Sequence, residues 1–305
     1  MRFFFPVFIS LLAGVSLRAA DAPAEANVLA GVVDFHSHSG PDTVGRSLNS
    51  FAVVRQARAA GMRGVVLKNH FLGTAALAQL AMQEVGGIDV FGGVVLNFSN
   101  GGLNAEAVQR MIQIEGHRGK IVWLPTFDAE NQVRFSKAAR PFVAVVKDGQ
   151  PVPALKEIFE VIAANDLILA SGHSSAEEAL IIFKAARAAG VKRLLATHVL
   201  SDTTRAALEQ MKQLAALGVV MEFTWLTHLP APVGQGVPVS DCVSAVQAVG
   251  AEHFLVSSDM GQASAPLHTD GLRTFISALK TGGLTDREVD LMVRRNPARL
   301  LGLEP

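Results

Sequence analysis

His36-Ser37-His38 sets two imidazoles two residues apart. Along an extended strand, positions i and i+2 share a face roughly 7 Å apart at the Cα atoms, so both rings can reach one metal ion. Taken alone, such a pair also arises by chance. Three further residues change its weight. His173 follows Leu167-Ile168-Leu169-Ala170-Ser171-Gly172, His198 follows Leu194-Leu195-Ala196-Thr197, and Asp259 follows Phe254-Leu255-Val256-Ser257-Ser258. Each closes a short apolar run, where an unsatisfied imidazole or carboxylate is costly. Any one of them could be a hydrogen-bonded structural group, and Asp259 could cap a loop. Together they make four imidazoles and an acid, the donor set of a divalent metal site that lowers the pKa of a water, with a carboxylate to take its proton. The single cysteine, Cys242, excludes a thiolate zinc site and is expected to pack a helix.

The elements that must position these residues are short β-branched runs alternating with longer helical patterns. Strands are expected at residues 32–38, 64–70, 90–97, 120–126, 167–173, 193–198, 219–224 and 253–259, each followed by a helical segment. Eight such units specify a (β/α)8 TIM barrel, with an open doubly wound sheet as the alternative. Chemistry in such barrels sits at the carboxyl ends of the strands, which is where these residues fall. His70 closes the second strand and reads as a further ligand or as a donor to one. Lys68 shares its face; burial would favour the neutral amine that reacts with carbon dioxide to give a carbamate, the alternative being an ion pair with Asp34 or Glu222. Alternation also places Asp34 on the face of His36 and His38, with Val33, Phe35 and Ser37 toward the helices. His117 and His253 precede strands and read as structural. Arg46 in the loop after strand 1, Asn97 ending strand 3, Asp128 after strand 4, His228 beyond strand 7 and His268 beyond strand 8 lie at the expected mouth and are candidates for substrate contact, Arg46 through its guanidinium fork. Residues 127–151, with an apolar run and Asp148-Gly149, predict a small hairpin over the barrel top after the fourth strand, either a lid or a decoration.

Half of the 305 residues are hydrophobic, enough for one large barrel domain over residues 31–305. Lys plus Arg and Asp plus Glu both number 27, so no basic stripe exists to neutralise a phosphate backbone and nucleic acid is excluded as a partner. At the N-terminus Arg2, an apolar run over 3–17 and Ala19-Ala20-Asp21-Ala22 follow the order of a secretory signal peptide, read here as residues 1–22. The run is too short and broken for a comfortable membrane span. The expectation is a periplasmic or secreted protein that begins near Asp21 and has no span once mature; an uncleaved anchor is the alternative.

The chain resembles the amidohydrolase superfamily, with His36-Ser37-His38 on strand 1, His173 and His198 ending strands 5 and 6, and Asp259 ending strand 8. Its closing segment, Asn296-Pro297-Ala298-Arg299-Leu300-Leu301-Gly302-Leu303, is similar to one that many amidohydrolases share. The stretch from Asp34 to Asp42, Leu67-Lys68-Asn69-His70 and Gly172-His173-Ser174-Ser175 resemble a branch known only as a domain of unknown function. The resemblance spans residues 32–303. It implies a TIM-barrel hydrolase with one or two divalent ions, zinc first among them, acting on a small molecule by cleaving an amide, cyclic amide, lactone or ester. A phosphoester is the second reading, and an exported barrel that binds metal or ligand without catalysis is the third; a binding protein would have no need of Asp259 as a base. One departure stands out. Two-metal relatives carry a carbamylated lysine ending strand 4, whereas this strand ends Trp123-Leu124-Pro125-Thr126.

Overall fold

The computed structural model describes residues 27–303. The first four barrel strands are β1 (Val33–His38), β2 (Gly64–Lys68), β3 (Asp89–Val95) and β4 (Gly119–Trp123). A hairpin, β5 (Val146–Lys147) and β6 (Gln150–Pro151), then precedes β7 (Ile168–Ala170), β8 (Arg193–Ala196), β9 (Val220–Thr224) and β10 (Phe254–Ser257). The eight barrel strands neighbour one another in chain order and pair in parallel. Closure between the first and last comes from Asp259 N–H donating to the His36 carbonyl at 2.8 Å and His38 N–H donating to the Met260 carbonyl at 2.9 Å. The fold is therefore a (β/α)8 barrel and not an open sheet. The expected signal peptide at residues 1–22 lies outside the described residues.

Parallel strands carry helices outside and side chains inside, so both faces must be apolar, and the near-continuous Val, Ile and Leu runs meet that demand. Val33, Phe35, Val66, Ile121, Trp123 and Leu255 belong to the cluster that fills the barrel, and Leu300 and Leu301 of the closing helix Asn296–Leu301 join it. The Asn296 amide donates to the Ala251 and Phe254 carbonyls at 2.8 and 2.6 Å, tying that helix to the start of β10. The closing segment thus plugs the amino end of the barrel and takes no part in chemistry.

Two expectations are corrected. Val33 and Phe35 point into the barrel rather than toward the helices. The β1–β2 register shifts between Asp34 and Ser37, and this bulge lets Phe35 and His36 both face inward. Asp34 consequently lies off the mouth, where it accepts from Ser258 N–H at 2.9 Å, Ser258 Oγ at 2.6 Å and Ser37 Oγ at 2.7 Å. Its carboxylate stands in for a backbone rung between the first and last strands. The hairpin forms around Asp148 and Gly149, whose φ of 51° and 73° suit a primed turn. It packs against the helix Ala176–Ala188 and contributes nothing to the cavity at the mouth. The helix Glu130–Phe135, from the same excursion, reaches that cavity with Gln132 and Phe135 instead.

Candidate active site

Five imidazoles close a ring at the carboxyl end of the barrel. Successive ring centroids lie 5.1 Å apart from His36 to His38, 4.7 Å to His70, 6.0 Å to His173, 5.0 Å to His198 and 6.1 Å back to His36. Asp259 Oδ1 sits 3.1 Å from His36 Nε2 and 3.2 Å from His38 Nε2. Donor atoms of His36, His38 and Asp259 all fall within 4.8 Å of one another, a spacing that fits a single ion. His70, His173 and His198 complete the ring beside that cluster, with centroids 4.7 to 6.1 Å from their neighbours.

Every imidazole is held through Nδ1. His36 Nδ1 meets Glu222 Oε2 at 3.3 Å, His38 Nδ1 donates to the Lys68 carbonyl at 3.1 Å, and His70 Nδ1 pairs with Thr126 Oγ1 at 2.9 Å. His173 Nδ1 donates to Gln132 Oε1 at 2.8 Å. Thr204 spends its hydroxyl proton on the His198 carbonyl at 2.8 Å, so its oxygen accepts from His198 Nδ1 at 3.1 Å. An Nδ1 that donates to a carbonyl, carboxylate or amide oxygen sets the tautomer and leaves the Nε2 lone pair for a metal, the usual arrangement of ligating histidines. Burial also keeps the rings neutral: it holds His36 down to about 3 and His198 to about 4, and depresses His38, His70 and His173. Neutral, oriented imidazoles with one carboxylate are the donor chemistry that zinc and similar divalent ions take, so the residues present fit the metal.

Glu222, on β9, is buried beside His36, accepts from Ser257 Oγ at 2.8 Å, and is pushed up to about 7 by burial. Lys68 points inward as expected, its Nζ 3.1 Å from His36 Nε2 and 5.4 Å from the Trp123 ring centroid. Burial lowers its amine to about 8, against the pull of Asp259 and then Glu222. The ion-pair alternative fails for Asp34, which faces away, and Lys68 makes no direct ion pair with Glu222. No lysine ends β4; Thr126, three residues beyond it, holds His70 instead.

Backbone strain gathers at the same place. His198 and Asp259 have φ of 31° and 53°, a region L residues rarely adopt. At Gly261 a Cβ would come within 2.2 Å of the His38 carbonyl oxygen, so the loop after Asp259 can close over β1 only with glycine there.

Among the mouth candidates, Arg46 lines the cavity, but Asn97, His228 and His268 do not. Asn97 is fully buried; its amide donates to the His70 carbonyl and Thr126 Oγ1, both at 2.9 Å, and its oxygen accepts from Thr126 N–H at 2.8 Å. It positions His70 and Thr126 without touching the cavity. His228 donates to the Val237 carbonyl at 2.7 Å and meets Cys242 Sγ at 3.3 Å, so both rest in the helix layer. His268 donates to the His38 carbonyl at 2.8 Å from the start of an outer helix. Asp128 is spent on Arg140 at 2.6 Å. Sequence alone carried no signal for Phe71, Phe127, Gln132 or Phe135, which line the cavity of about 600 Å³ above the ring.

The model of a family of unknown function, DUF6282, matches residues 31–222, a stretch that holds all five histidines and Glu222 and ends before Asp259. No curated protein matches the chain. Solved structures similar in fold include an organophosphorus hydrolase from Deinococcus radiodurans, at 16% identity over 91% of this chain and 94% of that one, with a TM-score of 0.61. An amidohydrolase from Burkholderia multivorans with bound zinc aligns at 15% identity over 90% and 100% of the two chains, TM-score 0.61. A third, an engineered organophosphate-hydrolysing protein built on a weak promiscuous lactonase, aligns at 15% identity over 91% and 97%, TM-score 0.59.

Proposed function

Because this chain belongs to DUF6282, a family of unknown function, its activity must be read from its own site, and we propose that it is a metal-dependent hydrolase of small acyl compounds: amides, cyclic amides, lactones or esters. The observation that carries this reading is the ring of five Nδ1-anchored imidazoles with Asp259 Oδ1 against two of them. His36, His38 and Asp259 would hold a first ion, with His70, His173 and His198 available to it or to a second. A bound divalent ion, zinc above others, supplies Lewis acidity toward the scissile carbonyl and acidifies a water. Asp259 takes one proton from the attacking water as its oxygen bonds to the acyl carbon, then returns the proton to the departing nitrogen or oxygen as that bond breaks. Glu222 orients His36 and is the next candidate base. The zinc in the Burkholderia structure and the named hydrolases among the structural neighbours support this reading.

The test is metal analysis of purified protein followed by a panel of esters, lactones, amides and phosphotriesters. The expected result is one to two equivalents of divalent metal, hydrolysis of an acyl substrate, and loss of turnover on chelation that zinc restores. Activity that survives complete metal removal would end the proposal, and turnover of phosphotriesters alone would replace the acyl reading. Lys68 separates one ion from two: if its amine carries a carbamate, Lys68→Ala loses one metal equivalent, and bicarbonate with a short carboxylic acid partly restores it. Unchanged stoichiometry in that variant would make Lys68 a positioning residue for His36.

A further inference from the structure

The walls above the imidazole ring are sorted by chemistry. Phe127 packs on His70 with centroids 4.2 Å apart and stands 5.7 Å from His173; Phe71 stacks on it at 6.0 Å. Phe127 and Phe135 remain 41% and 54% exposed, and Val44, which lines the same cavity, 57%. Large apolar side chains left in water around one cavity mark a surface that something apolar covers.

The charges point the same way. Beyond Lys68 and Asp259 on the floor, the charged side chain lining the cavity is Arg46. Its Nε and a terminal nitrogen grip Asp42 Oδ2 at 2.7 and 2.6 Å in a pair almost wholly out of solvent. One edge of the guanidinium is therefore spent on a residue four positions away, and the Asp42 carboxylate offsets the charge that would draw a substrate carboxylate or phosphate. The other polar residues at the wall, among them Thr43, Ser201, Thr203 and Gln235, are neutral.

We infer that the pocket selects an uncharged, lipophilic substrate, whose aryl or alkyl group lies against Phe127 and Phe135 while its acyl group reaches the imidazole ring. The inference rests on the hydrolase reading for which group reacts, but recognition can be measured without turnover. The probes are two ketones that cannot be hydrolysed, 4-butylacetophenone, which is uncharged, and 4-acetylbenzoate, which is anionic. Each is titrated by calorimetry into the metal-loaded protein at neutral pH. The uncharged ketone should bind at least about tenfold tighter, the scale expected for burying one aromatic or butyl group. Phe127→Ala with Phe135→Ala should remove about tenfold of that affinity while metal content and Tm hold; Phe135→Ala alone, which leaves the histidine contacts untouched, should weaken it in the same direction.

Equal or tighter binding of the benzoate would overturn the inference. So would absence of binding by either ketone, or an uncharged-ketone Kd indifferent to both phenylalanines. A change confined to oligomeric state or to vesicle binding in the phenylalanine variants would assign the apolar rim to a partner surface and overturn it too. Selective ketone binding in a protein that hydrolyses nothing would leave this inference standing and remove the hydrolase reading, so the two fail separately.

Discussion

Asp259→Asn is expected to lower kcat by roughly 100- to 10,000-fold, about 3 to 5 kcal/mol of transition-state stabilisation, with a smaller change in KM. Asparagine preserves the size of the side chain and one oxygen, so it can still sit 3.1 to 3.2 Å from the two Nε2 atoms where Asp259 Oδ1 sits now. It cannot accept a proton at neutral pH. The left-handed φ of 53° suits asparagine as well as aspartate, which keeps the backbone out of the comparison. Steady-state kinetics and metal analysis on the same preparation decide the outcome. Near-full activity would remove Asp259 from proton transfer and turn attention to Glu222. Complete loss of metal would make Asp259 chiefly a ligand.

His36→Ala combined with His38→Ala should abolish both metal binding and turnover. These two rings supply two of the three donor atoms that converge within 4.8 Å, and without them Asp259 loses both imidazoles that share its ion. The substitution removes the His38 donor from the Lys68 carbonyl, at about 1 to 3 kcal/mol for an unsatisfied group, while Glu222 loses His36 but keeps Ser257 Oγ at 2.8 Å. The barrel should still fold, because its interior packing rests on Val33, Phe35, Val66, Ile121, Trp123 and their neighbours rather than on the site. Circular dichroism and a thermal melt establish the fold, and metal analysis reads the result. A folded double variant with undiminished metal would move the site to His70, His173 and His198, whose rings complete the circle.

How much of this was legible without coordinates depends on how local the determining physics is. The eight apolar runs and the reactive residue at the end of most of them could be read directly, since a buried parallel strand must be apolar on both faces and its carboxyl end is where polar side chains become tolerable. On that basis His36, His38, His70, His173, His198 and Asp259 all stand where expected, and Asp148-Gly149 turns a hairpin for reasons carried by those two residues. Alternation failed at β1. It holds only along an unbroken ladder, and the bulge between Asp34 and Ser37 is imposed by pairing with β2.

Loop polar residues were the least legible, because their partners come from distant segments. Nothing in the sequence near Asn97, His228 or His268 announces that Thr126, Val237 and the His38 carbonyl will consume their hydrogen bonds. The same holds for Gln132 and Thr204, which set the tautomers of His173 and His198. The sequence by itself determined the barrel and the imidazoles and carboxylate gathered at its strand ends, since periodic apolar burial and strand ends are properties of short segments. Only the tertiary structure decided which acceptor anchors each imidazole, that Asp42 takes one edge of Arg46, and that phenylalanines wall the cavity, because each depends on a contact that folding arranges.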